Sequence, residues 1–169
     1  TTTVAAGLTP PLPAGQTRIV LSWGGTLPEL DSHLLGPDPF GAPFHVYYGD
    51  RGDSVISPFA LLHNDVGNSQ GPEAVTIYQQ QTGVYEFRVH DWVGGADPAD
   101  SLLRASGARV DVYQGNQQVQ SFTVPNQLGT LWKVLQLSGG TITVLNAITG
   151  DPPETPIGGA AAVAAGPGV

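Results

Sequence analysis

From Val84 to His90 apolar and polar residues alternate, so that an extended chain would carry Tyr85, Phe87 and Val89 on one face and Glu86, Arg88 and His90 on the other. One face is expected to turn inward and the other to meet water or a partner. The same period of two recurs in Val110 and Val112, in Phe122 and Val124, and in Ile142 and Val144. Short β-rich runs stand between frequent Gly and Pro breaks: Thr17 to Trp23, Leu30 to Leu35, Phe44 to Tyr48, Ala74 to Tyr78, Val84 to His90, Arg109 to Tyr113, Gln118 to Val124, Thr130 to Leu137 and Thr141 to Asn146. Gln114 to Gln117 and Ser138 to Gly140 read as hairpin turns, whereas Ala96 to Arg104 fits either one short helical turn or a loop.

Several strands that each offer one apolar face need a second sheet to bury it. The expected fold is therefore all-β, an antiparallel two-sheet β-sandwich of immunoglobulin-like or jelly-roll-like kind over residues 17–147. Trp23, Tyr85, Phe87, Val89, Val110, Val112, Phe122, Val124 and Trp132 are its expected core. Extended apolar tails flank it at 1–16 and 148–169, the first ending in a Pro-rich run and the second nearly all Gly, Ala and Val from Ile157 onward.

A chain of 169 residues can bury a core without staples, so the absence of Cys costs the fold nothing and leaves the redox compartment open. With 6 Lys+Arg against 14 Asp+Glu the net charge is −8, which repels phosphate backbones and argues against nucleic acid. Only 12% of residues are charged, about half the usual share, so the surface must be covered by neutral polar groups or by other chains. No apolar run approaches the roughly 20 residues of a membrane span, so no membrane insertion is expected. A start at Thr1, with no Met and no signal-like segment, reads as a mature exported product located outside the cell or at its surface.

Several motifs in order resemble a bacterial domain of unknown function found in YfaP-like secreted and surface proteins, where it often follows a carboxypeptidase-regulatory-like region. They are Arg18-Ile-Val-Leu-Ser-Trp-Gly24, Leu30-Asp-Ser-His-Leu34, Phe44-His-Val-Tyr-Tyr48, Gly71-Pro-Glu73, Gly83-Val-Tyr85 with Val89-His90, Phe122-Thr-Val-Pro125 and Trp132. The likeness spans about Thr17 to Asn146 and implies an antiparallel β-sandwich in an exported protein, with no reaction attached. Where such domains show an acidic stretch before Gly-Pro-Glu, this chain has Leu62-His-Asn-Asp65, which weakens a cation-binding inference from the family.

All four histidines, His33, His45, His63 and His90, lie in or beside expected strands, and Asp31, Asp65 and Asp91 stand close to three of them. By strand parity Asp31 and His33 share a face opposite Leu30 and Leu34, and His45 lies opposite Phe44 and Val46, so these groups can meet outside the apolar core. Imidazoles and carboxylates in such an array can hold a metal. Without a ligand-pair spacing such as His-Glu-x-x-His, the expectation is instead a set of structural hydrogen bonds, with no metal and no cofactor. Arg51-Gly52-Asp53 copies an adhesion tripeptide within a segment that has the composition of a surface turn. Trp92, at a strand end, is the aromatic residue most open to a sugar-stacking role. No nucleophile elbow, phosphate loop or zincin motif is present, and no enzymatic activity is expected.

Two non-enzymatic readings remain. In the first, copies of the chain assemble into an extracellular filament or layer as the tails donate β-strands through Thr3, Val4, Leu8, Ile157, Ala161, Val163 and Ala165. In the alternative, an adhesion module binds surface glycan through Asp31, His33, His45 and Trp92.

Overall fold

A computed structural model describes residues 12–24, 29–63 and 71–158. Eleven strands and one short helix follow in order: β1 (Thr17–Ser22), β2 (Leu30–Pro37), β3 (Pro43–Val46), β4 (Gly52–Asp53), β5 (Ala60–Leu62), β6 (Glu73–Ile77), β7 (Tyr85–Asp91), α1 (Leu102–Ala105), β8 (Arg109–Gln114), β9 (Gln117–Thr123), β10 (Leu131–Ser138) and β11 (Thr141–Thr149). They form two antiparallel sheets, one ordered β4-β5-β6-β1-β8-β9 and the other β11-β10-β7-β2-β3. The chain is an all-β two-sheet sandwich.

The interior is built by the alternation that the sequence displays. Ile19 and Leu21 on β1, Leu34 on β2, Phe87 on β7, Val110 on β8 and Trp132 on β10 are all essentially inaccessible to water. Of the expected core, Trp23 and Val124 pack against this cluster from its margin, half-buried. Trp132 satisfies its indole N–H by donating to Asn146 Oδ1 at 2.9 Å, so the largest core side chain leaves no orphaned donor. A Cβ at Gly36 would stand 2.5 Å from the Tyr85 ring, so glycine in β2 lets that ring lie flat against the backbone.

Both expected hairpins are present. Gly139 and Gly140 join β10 to β11 with φ of 55° and 82°, the left-handed pair that the twist of a tight hairpin demands. Gly115, at φ 56°, turns β8 into β9. The segment read as helical turn or loop contains α1, whose Leu103 is buried. The strands β4 and β5 are additional to those expected. They form around the Arg51-Gly52-Asp53 triplet: Arg51 Nε donates to the Leu62 carbonyl at 3.2 Å, and Asp53 Oδ1 accepts from the Val55 and Ile56 amides at 2.7 and 3.0 Å. That segment is a tied turn.

Two expectations are overturned, the first at Val144, which was read with Ile142 as part of a buried face and is 55% exposed. The second is at Glu86, Arg88 and His90, which were assigned to a face meeting water or a partner and are 2%, 0% and 6% exposed. For Arg88 the chain beyond β11 is the reason, and for His90 the loop after β7, whose Gly95 carbonyl it meets. Lys133 Nζ holds Asp151 Oδ2 at 2.7 Å, and Arg88 Nη1 donates to the carbonyls of Pro153, at 3.0 Å, and Thr155. Residues 151–155 are thus tied across the outer face of the second sheet. Ile157 follows them, half-buried. Thr3, Val4, Leu8, Ala161, Val163 and Ala165 lie outside the described residues.

Candidate functional site

The outer face of the second sheet carries a buried polar layer, assembled by register. β2 and β7 pair so that Asp31 stands opposite His90 and His33 opposite Arg88, and β3 adds His45 opposite Leu35. Because side chains alternate, Asp31, His33, His45, Glu86, Arg88 and His90 all point away from the apolar interior. Arg88 Nε pairs with Glu86 Oε1 at 2.7 Å, and Glu86 Oε2 accepts from Gln136 Nε2 at 2.9 Å. The buried guanidinium is thus engaged by a carboxylate at Nε and by two carbonyls at Nη1, while Nη2 is buried with no hydrogen-bond partner among the described residues.

The imidazoles form one connected group. His33 Nδ1 lies 2.8 Å from His45 Nε2, a hydrogen bond in which one ring donates. His45 stacks on Tyr47 with ring centres 4.4 Å apart, and the His90 ring meets His33 edge-on at 5.8 Å. His90 Nε2 is 2.6 Å from the Gly95 carbonyl, which can only accept, so Nε2 carries a proton and Nδ1 is the nitrogen left to offer a lone pair. The loop that supplies this carbonyl is shaped by Asp91, whose Oδ1 accepts from the Val93 and Gly94 amides at 3.1 and 3.2 Å. Burial pushes the Asp91 carboxyl up.

Charge at the centre of the group is strongly disfavoured. Burial, followed by the neighbouring His45, His90 and Arg88, lowers the His33 pKa to about 2. Burial and then Arg88 lower that of His45 as well. His33 is accordingly a neutral imidazole, with Nε2 buried and lacking a hydrogen-bond partner among the described residues. One ligand atom from each of Asp31, His33 and His90 lies within 4.8 Å of the other two, all three residues being buried.

The structure therefore brings Asp31, His33 and His45 together, as parity suggested, and adds His90. It does not bring Trp92 into the layer. Trp92 is 55% exposed on the loop after β7, beside Val93 at 61%, while Asp31 and His33 are inaccessible from outside. Of the four residues read as a ligand surface, only Trp92 is openly presented to solvent. His63 belongs to a separate cluster on the first sheet, where its Nε2 lies 3.0 Å from Thr76 Oγ1 and 3.1 Å from the Tyr78 hydroxyl, and Arg18 Nε donates to the same Thr76 oxygen at 2.9 Å. The role of Glu73 was missed. Buried in β6, it accepts from the Ser32 amide through Oε2 at 2.9 Å and so ties the first sheet to β2, a contact between residues 41 positions apart.

No family model matches this chain, and no curated protein matches it. Among solved structures, a protein of unknown function, SAV2460, superposes with a TM-score of 0.53 at 15% identity, over 80% of this chain and 92% of that one. At that identity the likeness is one of fold: the chain is similar to SAV2460 in its β-sandwich architecture.

Proposed function

We propose that this chain is a non-enzymatic surface or extracellular module that joins copies of itself by pairing a donated tail with an open sheet edge. The observation that supports this is the contrast among the four sheet edges. β4 is two residues long and β3 begins at Pro43, devices that blunt an edge. β11 runs for nine residues and β9 for seven, and neither Thr141–Thr149 nor Gln117–Thr123 contains a charge or a proline. Edges of that length are normally guarded by Lys, Pro or a covering element. Val144 on β11 and Val119 on β9 are exposed at 55% and 41%, apolar positions that an added strand would flank. The surface setting rests on the resemblance to YfaP-like proteins.

Sedimentation velocity on the full chain tests the proposal. Growth of species larger than the monomer with concentration is expected, with suppression by Val144→Lys, which places a charge on the open edge without touching the core. Deletion of residues 1–7 or of residues 158–169 should abolish growth if that tail is the donor. A monomer at high concentration, or growth unaffected by all three changes, refutes it.

A second reading has one observation in its favour: the adjacent exposed side chains of Trp92 and Val93, an arrangement suited to stacking on a sugar ring. Glycan-array binding lost in Trp92→Ala would establish it.

A further inference from the structure

We infer that Asp31, His33 and His90 form a binding site for a divalent ion of the zinc class, with the Asp31 carboxylate, His33 Nε2 and His90 Nδ1 as ligands and a fourth position left for water. The inference is independent of strand donation. It departs from the sequence expectation because that rested on spacing along the chain, whereas these ligands come from two paired strands, with Asp31 and His90 directly opposite in register.

Three features of the geometry carry it. First, the three residues converge, with one ligand atom of each within 4.8 Å of the others. Zinc bonds of about 2.0 Å set tetrahedral donors roughly 3.3 Å apart, a contraction within reach of small side-chain rotations. Second, His33 Nε2 is fully buried and unbonded among the described residues, although a neutral imidazole nitrogen in that position should find a donor or a cation. Third, both rings are held through their other nitrogen. His90 Nε2–H donates to the Gly95 carbonyl, and His33 Nδ1 engages His45 Nε2. When His33 is the donor in that bond, each ring keeps its lone pair on the nitrogen that is left to ligate. Fixing the remote N–H of a ligating histidine is how proteins set its tautomer and orientation.

The ligand set selects the ion. Two imidazoles and one carboxylate suit zinc, cobalt, nickel or copper, while calcium and magnesium are hard ions that take oxygen ligands, about six to eight for calcium and largely water for magnesium. The nearest cation, Arg88, is already held by Glu86 and by the carbonyls of Pro153 and Thr155, so a carboxylate stands against its charge beside the site.

The test uses the full chain, stripped with EDTA, dialysed, and titrated with Co2+ and with Zn2+. One equivalent is expected to bind with a Kd below about 10 µM, with visible cobalt bands that zinc abolishes and a melting temperature raised by zinc but not by calcium. Asp31→Asn and His90→Asn should each weaken binding at least roughly 100-fold, and His45→Phe, which removes only the outer partner of His33, by about 10-fold. His63→Gln should bind as the parent does. If the Asp31 and His90 variants do not fold, the parent spectrum and His45→Phe decide. A folded parent that shows no cobalt bands and no zinc-dependent melting shift overturns the site. So does binding that survives in a folded His90→Asn, that is indifferent to His45→Phe, or that disappears in His63→Gln.

Discussion

The two faces of β7 are equally dry and are held by different physics. On the inner face Tyr85, Phe87 and Val89 meet the opposite sheet, and burial itself is favourable, at about 25 cal/mol per Å² of apolar surface removed from water. On the outer face Glu86, Arg88 and His90 are just as inaccessible, yet burial there is unfavourable until each polar atom is matched. Volume governs the first face and pairing the second. Low exposure alone therefore does not mark a residue as part of a hydrophobic core.

The largest effect expected from probing that contrast is on the inner face. Phe87→Ala should cost about 3 to 5 kcal/mol in denaturant unfolding, because the tightly packed surroundings collapse only partly into the space left. On the outer face Arg88→Met should cost about 3 kcal/mol, since it strands Glu86 without a counter-charge, whereas the double change Glu86→Leu with Arg88→Met should cost less than the single one. A double variant less stable than Arg88→Met alone would show that volume governs this face too.

Smaller effects come from the first sheet and from the rim. His63 has its pKa lowered by burial first and then by Arg18 and Arg51. An imidazole depressed in the folded state takes up a proton more readily when unfolded, so its contribution is complete above the unfolded pKa of about 6.5 and is lost as the pH falls below it. Between pH 7.5 and pH 5 the parent should therefore lose about 2 °C more in melting temperature than His63→Gln. Least of all, Asp151→Asn should cost no more than about 0.5 to 1 kcal/mol, because its pairing with Lys133 is open to water. A larger loss would show that Asp151 anchors the whole covering segment.

Strand phase was legible on β2 and β7, but not on β11, where Val144 of the Ile142–Val144 pair is exposed. The alternation from Tyr85 to His90 gave the inner face directly, and the parity of Asp31, His33 and His45 placed those three on a common side. What lay beyond reach were relations between distant segments. Arg88 is covered by Pro153 and Thr155, 65 and 67 positions later, and no local pattern announces a cover. His90 joins His33 only through the pairing of β2 with β7. The strands β4 and β5 escaped because two and three residues are too few for a period to show.

The covering segment also imposes an order on how the molecule is made. Residues 151–155 follow β11, so during synthesis every strand of both sheets leaves the ribosome before the carbonyls that close over Arg88. Until then Arg88 and Glu86 remain hydrated, and the apolar interior can condense without the burden of desolvating them. Burial of this charge therefore requires carbonyls that are synthesised after the strand that bears it.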